Sequence, residues 1–318
     1  MPTAAAFITV DLPALALAVC ACLACGLTGN FLVLRRQALV GDAMSHVVLP
    51  GIVVAWLVAG TIDSLAMMAG GLLAALLATG LIAAVRHLAR LEAGAAMGVV
   101  FTAMFAIGVV LIERSPARDV HLDTTHALMG ALELALWLGP TGWDDVLAAH
   151  NLAALPREVT TLAAVALATA ALTAIFFKEL RLATFDAGLA AALGYRPRLV
   201  GGAVMAWTAI VAVAAFDAVG SILPIAMFIC PAATARMLTD RLGQQIRASA
   251  AIAVLAAAGG YFAAAFAPLW TGGTASLNAA GMIAVVAGAL QVAAMLFAPR
   301  HGALARALAR RGPVATAA

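Results

Sequence analysis

The chain has 318 residues, of which 65% are hydrophobic and only 10% charged, and its mean hydropathy is +1.06. Soluble domains carry about 25% charged residues, so this composition excludes a soluble protein and predicts an all-α polytopic membrane protein. The net charge of +3 comes from basic residues scattered in short groups, a pattern typical of membrane orientation and not of nucleic-acid binding.

Apolar segments of about 20 residues, long enough to cross a bilayer, recur along the chain. The first charged residue is Asp11, so the N-terminus lacks the basic region of a signal peptide. We therefore expect the first segment to remain as a membrane span. The pattern predicts a single transmembrane domain over residues 1–318 with eight or nine helices. The predicted spans cover about 13–34, 42–59, 64–85, 95–112, 159–177, 199–215, 219–238, 248–267 and 277–297.

The basic residues predict the orientation of these spans. With nine crossings, 15 of the 18 basic residues fall on one side: Arg35, Arg36, Arg86, Arg90, Lys178, Arg181, Arg196, Arg198, Arg236, Arg241, Arg247, Arg300, Arg306, Arg310 and Arg311. Because cytoplasmic loops are enriched in Lys and Arg, this side is expected to be the cytoplasm. The N-terminus is then outside, and the C-terminus is inside with the basic tail 298–318.

The segment from Leu34 to Gly51, LRRQALVGDAMSHVVLPG, carries an acid and an imidazole into an apolar run. Asp42 and His46 are four residues apart and therefore share a helix face. Pro50 cannot donate to the His46 carbonyl, which leaves a third oxygen available nearby. The set suits a divalent cation, and ionisable groups in lipid usually serve a function. Alternatively, Asp42 and Ser45 cap a helix at the membrane surface and His46 is a boundary residue.

The cysteines and the region 113–158 offer further candidate metal ligands. Cys20, Cys22 and Cys25 fit no standard zinc spacing, and small buried side chains explain them better. The region 113–158 is predicted to be external, with an apolar stretch at 125–138 too short to cross and better suited to a re-entrant or interfacial helix. Its acids and histidines could gather metal, although a solvated loop is the interpretation we favour: Asp119, His121, Asp123, His126, Asp144, Asp145 and His150.

The loop 183–197, predicted to be cytoplasmic, contains a short helix with both ends specified. Asp186 is a suitable N-cap, Gly194 suits the C′ position, and Pro197 prevents continuation. Such a helix could dock a partner, or it could be a simple connector.

The seventh predicted span contains two prolines, Pro224 and Pro231. Each would free a helix carbonyl, that of Gly220 and that of Met227 respectively. Such breaks are tolerated where a helix faces protein or a water-filled cavity. This span is therefore either a pathway or gating helix or a kinked packing helix.

Several motifs of catalysis are absent from the sequence. It contains no G-x-x-x-x-G-K-[ST], H-E-x-x-H or G-x-S-x-G, so a P-loop ATPase, a zincin and a serine hydrolase are not expected.

Three stretches occur in an order and spacing typical of one family: residues 34–51, KELRLATFDAGLAAALG at 178–194 and CPAATARMLT at 230–239. The chain resembles the permease subunits of the manganese/zinc/iron ABC importers over about residues 13–298. The resemblance implies a fold like that of vitamin B12-type (type II) importers and a place in the bacterial cytoplasmic (inner) membrane. It also implies pairing as a homodimer or with a second permease, two separate ATP-binding subunits and an extracytoplasmic metal-binding protein.

The resemblance also assigns roles to residues. Asp42 and His46 match the D-x-x-x-H pair of the family, which is implicated in metal passage. Residues 231–234 match its P-A-A-T motif, and with Pro50 they are expected to shape the pathway, Pro231 and Thr234 in particular. The coupling helix that contacts the ATPase would comprise Phe185, Asp186, Leu189, Ala190, Leu193 and Gly194.

The chain departs from the family pattern at three places. Leu128-Met129-Gly130 stands where relatives usually show Leu-Phe-Gly, the segment 139–157 looks longer than usual, and Pro224 is atypical. These departures bear on the outer vestibule and on the docking face.

The resulting prediction is a transport subunit, and not an enzyme, of an ATP-driven importer that passes Zn, Mn or Fe to the cytoplasm. The metal is cargo, and no permanently bound cofactor is expected. A proton-coupled secondary transporter with Asp42 and His46 as a relay is the alternative, although we find no inverted repeat. An intramembrane metalloenzyme ranks last because it typically needs about three protein ligands.

Overall fold

The computed structural model describes residues 7–60, 64–114, 132, 135–140, 142–146, 148–270, 277–299 and 302–304. A π-helical turn, Phe7–Asp11, leads into the first helix, and no strand occurs within these ranges. The helices are α1 (Leu12–Leu34), α2 (Val40–Ala59), α3 (Ser64–Ala89), α4 (Ala93–Arg114), α5 (Ala149–Ala153), α6 (Arg157–Ile175), α7 (Phe177–Phe185), α8 (Ala187–Ala192), α9 (Pro197–Val219), α10 (Ile222–Leu238), α11 (Leu242–Trp270) and α12 (Ala279–Phe297).

Eight of these helices are long and apolar enough to cross a membrane: α1 with its preceding turn, α2, α3, α4, α6, α9, α11 and α12. The ninth apolar helix, α10, is shorter, with 17 residues. The predicted all-α architecture of eight or nine membrane helices is therefore confirmed. The largest shift in a predicted boundary is at α11, which begins at Leu242 and not near residue 248.

The interpretation of Pro224 as a break within a span was wrong. The chain leaves α9 at Gly220, whose φ of 75° lies in the left-handed region that favours glycine. Helix α10 begins only at Ile222, so Pro224 falls in its first turn, where a missing N–H removes no helical bond. Pro224 therefore does not deprive the Gly220 carbonyl of a helical hydrogen bond. Of the two prolines, Pro231 is the one in the interior of α10.

Helix α1 is the centre of the bundle and packs against α6, α9, α10 and α11. Buried polar bonds join it to α11: the Gln245 side-chain amide donates to Asn30 Oδ1 at 3.1 Å, and Ser249 Oγ donates to the Gly26 carbonyl at 3.1 Å. Cys22 and Cys25 lie in the same helix, are fully buried and belong to the core, as expected for packing residues. These bonds fix the register of α1 against α11 in an otherwise apolar interior.

Helices α2, α3 and α4 form a second packed group, connected to the rest mainly through α9. The closest approach within it is between α2 and α3, where the backbones of Gly51 and Gly70 touch. A Cβ on either residue would collide with the carbonyl oxygen of the other, so only glycine permits this crossing. This contact holds one side of α2 and leaves another side to face α4.

The described parts of the region after α4 are attached to the N-terminal turn. Trp137 is buried, its indole N–H donates to the Asn151 carbonyl at 2.9 Å, and its backbone N–H donates to the Thr9 carbonyl at 2.9 Å. The 3-10 turn Trp143–Asp145 and the short α5 follow, consistent with an added helix in 139–157. The predicted ligands at 119–126 and the motif at 128–130 lie outside the described residues, as do most of the predicted apolar stretch 125–138 and most of the tail 298–318.

Candidate functional site

Asp42 and His46 lie together on the first two turns of α2. His46 Nε2 is 3.8 Å from Asp42 Oδ1, and the side chains are 37% and 42% exposed respectively. The separation is long for a hydrogen bond between the two side chains, and both remain partly exposed. Asp42 also lies in the first turn of the helix, where the macrodipole favours a carboxylate.

Asp42 does not occupy the N-cap position of α2. The N-cap of α2 is Leu39, whose side chain makes no capping bond, and Asp42 is three residues further along. The N-cap residue usually accepts a hydrogen bond from a backbone N–H of the first turn, and in α2 this residue is apolar. The carboxylate is placed beside His46, one turn away along the same face.

Two phenylalanines from α4 enclose the His46 imidazole. The ring centroid of Phe101 is 5.8 Å from that of His46 with an interplanar angle of 26°, and that of Phe105 is 5.2 Å away at 76°. One ring is therefore stacked and the other meets His46 edge-on, the two geometries that aromatic pairs prefer. Sequence reasoning missed both residues, although their spacing of four on α4 was a usable signal.

Pro50 is buried against α4 one turn further along the same face of α2. A Cβ at Gly108 would come within 3.0 Å of Pro50 Cδ and 3.1 Å of Pro50 N, so the ring occupies the space that a larger residue would need. His46 and Pro50 thus face Phe101, Phe105 and Gly108 of α4. Because Pro50 has no N–H, the His46 carbonyl lacks its usual helical donor at this same interface.

Pro231 and Thr234 lie in α10 and are directed into the bundle. Pro231 Cβ is within 3.5 Å of the position that a Cβ on Gly26 of α1 would take. Thr234 is 3% exposed, and its hydroxyl has no hydrogen-bond partner among the described residues. Contact between α10 and α2 is made by Phe228. Its buried ring lies 2.5 Å from the position that a Cβ on Gly41, the residue before Asp42, would take.

The short helix α8 has the caps that the sequence predicted. Asp186 Oδ1 accepts a hydrogen bond from the Leu189 backbone N–H at 2.8 Å. At the other end, Tyr195 N–H donates to the Ala190 carbonyl and Gly194 N–H to the Ala191 carbonyl, the paired bonds of a Schellman motif. Gly194 has a φ of 85°, which explains why a glycine stands there.

The short helix α8 and the residues at its two ends expose three large apolar side chains, which we call the apolar stripe. Leu189 of α8 and Leu193 at its C-cap are 49% and 61% exposed, whereas Ala190 is fully buried. Phe185 is the last residue of α7 and is 55% exposed. Large apolar side chains that are exposed this close together in the chain mark a candidate interaction surface. Next to the capped helix the chain therefore offers a rigid contact patch.

Arg35 is the C-cap residue of α1 and lies in the connection between α1 and α2. Its guanidinium lies against Gly201 of α9, and burial together with the nearby Arg86 lowers the pKa of Arg35 below its ordinary value. One of its terminal nitrogens has no hydrogen-bond partner among the described residues. This arginine is therefore directed inward, unlike a basic residue that simply flanks a span.

Within the described ranges, no three side chains of His, Cys, Asp or Glu are grouped closely enough to hold a metal ion. Asp42 and His46 therefore provide one carboxylate and one imidazole per chain. A carboxylate and an imidazole suit divalent transition metals, but complete coordination requires further oxygens, water or a second copy of the pair.

Comparison with known proteins agrees with the fold and motifs. Residues 8–135 and 150–287 match the profile of the ABC 3 transport family. The chain is 37% identical to the manganese transport system membrane protein MntD of Bacillus subtilis over 284 residues, which is 89% of this chain and 90% of MntD. It is 35% identical to the zinc transport system membrane protein TroD of Treponema pallidum over 295 residues, 93% of this chain and 76% of TroD.

A solved structure has the same architecture. The chain superimposes on PsaBC from Streptococcus pneumoniae in complex with Fab with a TM-score of 0.70 and 26% identity, covering 91% of this chain and 92% of that one. The chain belongs to the ABC 3 transport family, and it is a multi-pass permease subunit of an ABC transporter. The family resemblance deduced from the three motifs is confirmed.

Proposed function

We propose that this permease imports divalent transition-metal ions and that Asp42 and His46 form one step on the path that the ion takes through the protein. The proposal rests chiefly on the placement of these two side chains. They lie 3.8 Å apart on one helix face, and both remain partly exposed. It is supported by relatives described as manganese and zinc transport system membrane proteins.

The chemistry of the step follows from the ligands. The Asp42 carboxylate and neutral His46 replace part of the hydration shell of the ion, and the His46 carbonyl freed by Pro50 adds an oxygen. Two side chains hold a divalent ion weakly, and conduction requires that the ion can leave. If two permease subunits face one path, their two Asp42–His46 pairs would together supply four side-chain ligands for transient binding.

The proposed assembly has further subunits. An extracytoplasmic protein delivers the metal to the end of the path remote from the basic loops, and two ATPase subunits drive the switch in access. The apolar stripe of α8, Phe185, Leu189 and Leu193, is the contact for an ATPase subunit. The basic loops face the cytoplasm, with the N-terminus outside and the C-terminus inside.

The experiment reconstitutes the permease with its ATPase and binding-protein partners in proteoliposomes and measures uptake of radiolabelled Mn²⁺ and Zn²⁺. We expect Asp42→Ala and His46→Ala to abolish uptake while the complex still assembles. His87→Ala, which removes an exposed histidine at the end of α3, serves as the matched control and should transport normally.

Normal uptake by both site variants would refute the pathway role of the pair. Uptake by the permease alone under a proton gradient, without ATPase subunits, would favour the proton-coupled alternative. Stimulation of ATP hydrolysis by one metal and not the other would identify the cargo.

A further inference from the structure

A long apolar cleft opens between α1, α6 and α11, away from the Asp42–His46 site. Its volume is about 780 Å³, within the range of sites that hold one small apolar molecule. Its floor along α6 is built from Ala163, Ala166, Ala170 and Ala174. These four recur at helical spacing, so their small side chains form a continuous groove along the helix axis.

The groove has the length of one bilayer leaflet. From Ala163 to Ala174 the helix rises about 17 Å at about 1.5 Å per residue, and half of a hydrocarbon core is about 15 Å. Cys20 lines the groove near the middle of α1, while Phe177 and Gly243 line it where α7 and α11 begin. The cleft therefore runs from one membrane surface to about the midplane.

A cation stands at the surface end of this groove. Arg247 lines the cleft and is exposed, and its Nε donates to the Gly243 carbonyl at 3.3 Å. In the part of the chain that the structure describes, no carboxylate lies within 4.0 Å of its guanidinium. Arginine offers five N–H donors in a planar fork suited to phosphate, so most of its capacity remains for a partner.

We propose that this cleft is a binding site for one anionic phospholipid of the surrounding bilayer. An acyl chain lies in the alanine groove of α6, and the phosphate contacts Arg247. Three features match a lipid: the groove is apolar, it has the length of one leaflet, and the Arg247 cation lies at the level of the headgroups. Charge complementarity at the mouth selects an anionic headgroup over a zwitterionic one. The site is independent of the transport chemistry at Asp42 and His46.

The test is native mass spectrometry of the purified full chain with added phosphatidylglycerol or phosphatidylethanolamine. We expect one retained phosphatidylglycerol per chain, and about fivefold weaker retention in Arg247→Gln. Arg241→Gln, which removes an exposed arginine six residues earlier that does not line the cleft, is the matched control and should retain lipid normally. Equal retention by the wild-type protein and Arg247→Gln would overturn the headgroup contact and the proposal with it.

Filling the groove provides the second variant. Ala170→Leu places bulk in the cleft and should remove the bound phosphatidylglycerol, whereas Ala164→Leu, on the same helix and also exposed but outside the lining, should not. The melting temperatures of both variants show that they fold. Undiminished lipid in Ala170→Leu would contradict a lipid occupant. Cross-linking of Leu167→Cys, a change in the cleft lining, to a second permease copy in the assembled transporter would also contradict it.

Discussion

The ring of Pro50 lies directly against the backbone of Gly108, with its Cδ 3.0 Å from where a Cβ of that residue would stand. This contact sets how closely α2 approaches α4. One turn before it on α2, the His46 ring fits between Phe101 and Phe105 of α4. The Pro50–Gly108 contact and the aromatic contacts of His46 therefore lie one turn apart in the same α2–α4 interface.

The first prediction tests this spacing. Gly108→Leu is expected to force α2 and α4 apart and to lower metal uptake at least tenfold, because overpacking a close contact costs about 1–3 kcal/mol. Gly108→Ala should be much milder, since the neighbour needs to move only a few tenths of an ångström. Uptake is measured in the reconstituted transporter. Gly80→Leu in α3, where a Cβ meets nothing within 4 Å, is the control, and an equal loss there would point to a nonspecific effect.

The second prediction concerns the two phenylalanines as positioning residues for His46. Phe105→Leu keeps an apolar side chain but removes the edge-on ring, which is worth about 0.5–1.5 kcal/mol. We expect the half-saturating metal concentration for uptake to rise about two- to tenfold, while the maximal rate changes little. Phe105→Tyr should restore the wild-type value because it retains the ring.

The matched control for the ring is Phe262→Leu, which removes a similarly exposed phenylalanine from α11. A fall in maximal rate alone, with half-saturation unchanged, would indicate a general packing defect. That result would refute the positioning role.

Contacts between residues that are close in the sequence could be predicted, whereas contacts between residues on different helices could not. The proximity of Asp42 and His46 requires only that residues 40–59 form a helix, and the caps of α8 are set within nine residues, so both could be predicted. The contacts of His46 with Phe101 and Phe105 arise from the packing of two helices whose relative rotation no local pattern specifies.

Pro224 illustrates the opposite failure. The predicted spans on either side of this point ended at residue 215 and began again at residue 219. The left-handed Gly220 ends α9 and moves the start of α10 to Ile222, which changes the role of the proline from a break to a first-turn residue. A shift of three residues was sufficient to reverse the interpretation.

The third prediction addresses the apolar stripe beside α8. Leu189→Asp places a charge at the centre of the exposed patch without disturbing the buried Ala190. Loss of ATPase subunits from the purified complex is expected, because a desolvated carboxylate without a partner is strongly unfavourable at an interface. Co-purification of the ATPase with the permease measures the effect.

The control for this surface is Leu88→Asp, which changes an even more exposed leucine near the end of α3. It should leave the amount of bound ATPase unchanged. Full ATPase binding by Leu189→Asp would remove this stripe from the interface.

The fourth prediction separates the rigidity of α8 from its surface. Asp186→Ala removes the acceptor for the Leu189 N–H and should destabilise the helix by about 1 kcal/mol, while leaving Phe185, Leu189 and Leu193 in place. Because a loose helix transmits motion poorly, we expect ATP hydrolysis to continue while metal uptake per ATP falls several-fold. Asp186→Ser, which retains a capping oxygen, should restore the ratio, and uptake per ATP is measured directly in proteoliposomes. A parallel loss of ATPase binding and hydrolysis in Asp186→Ala would mean that the cap contributes to docking and not to transmission.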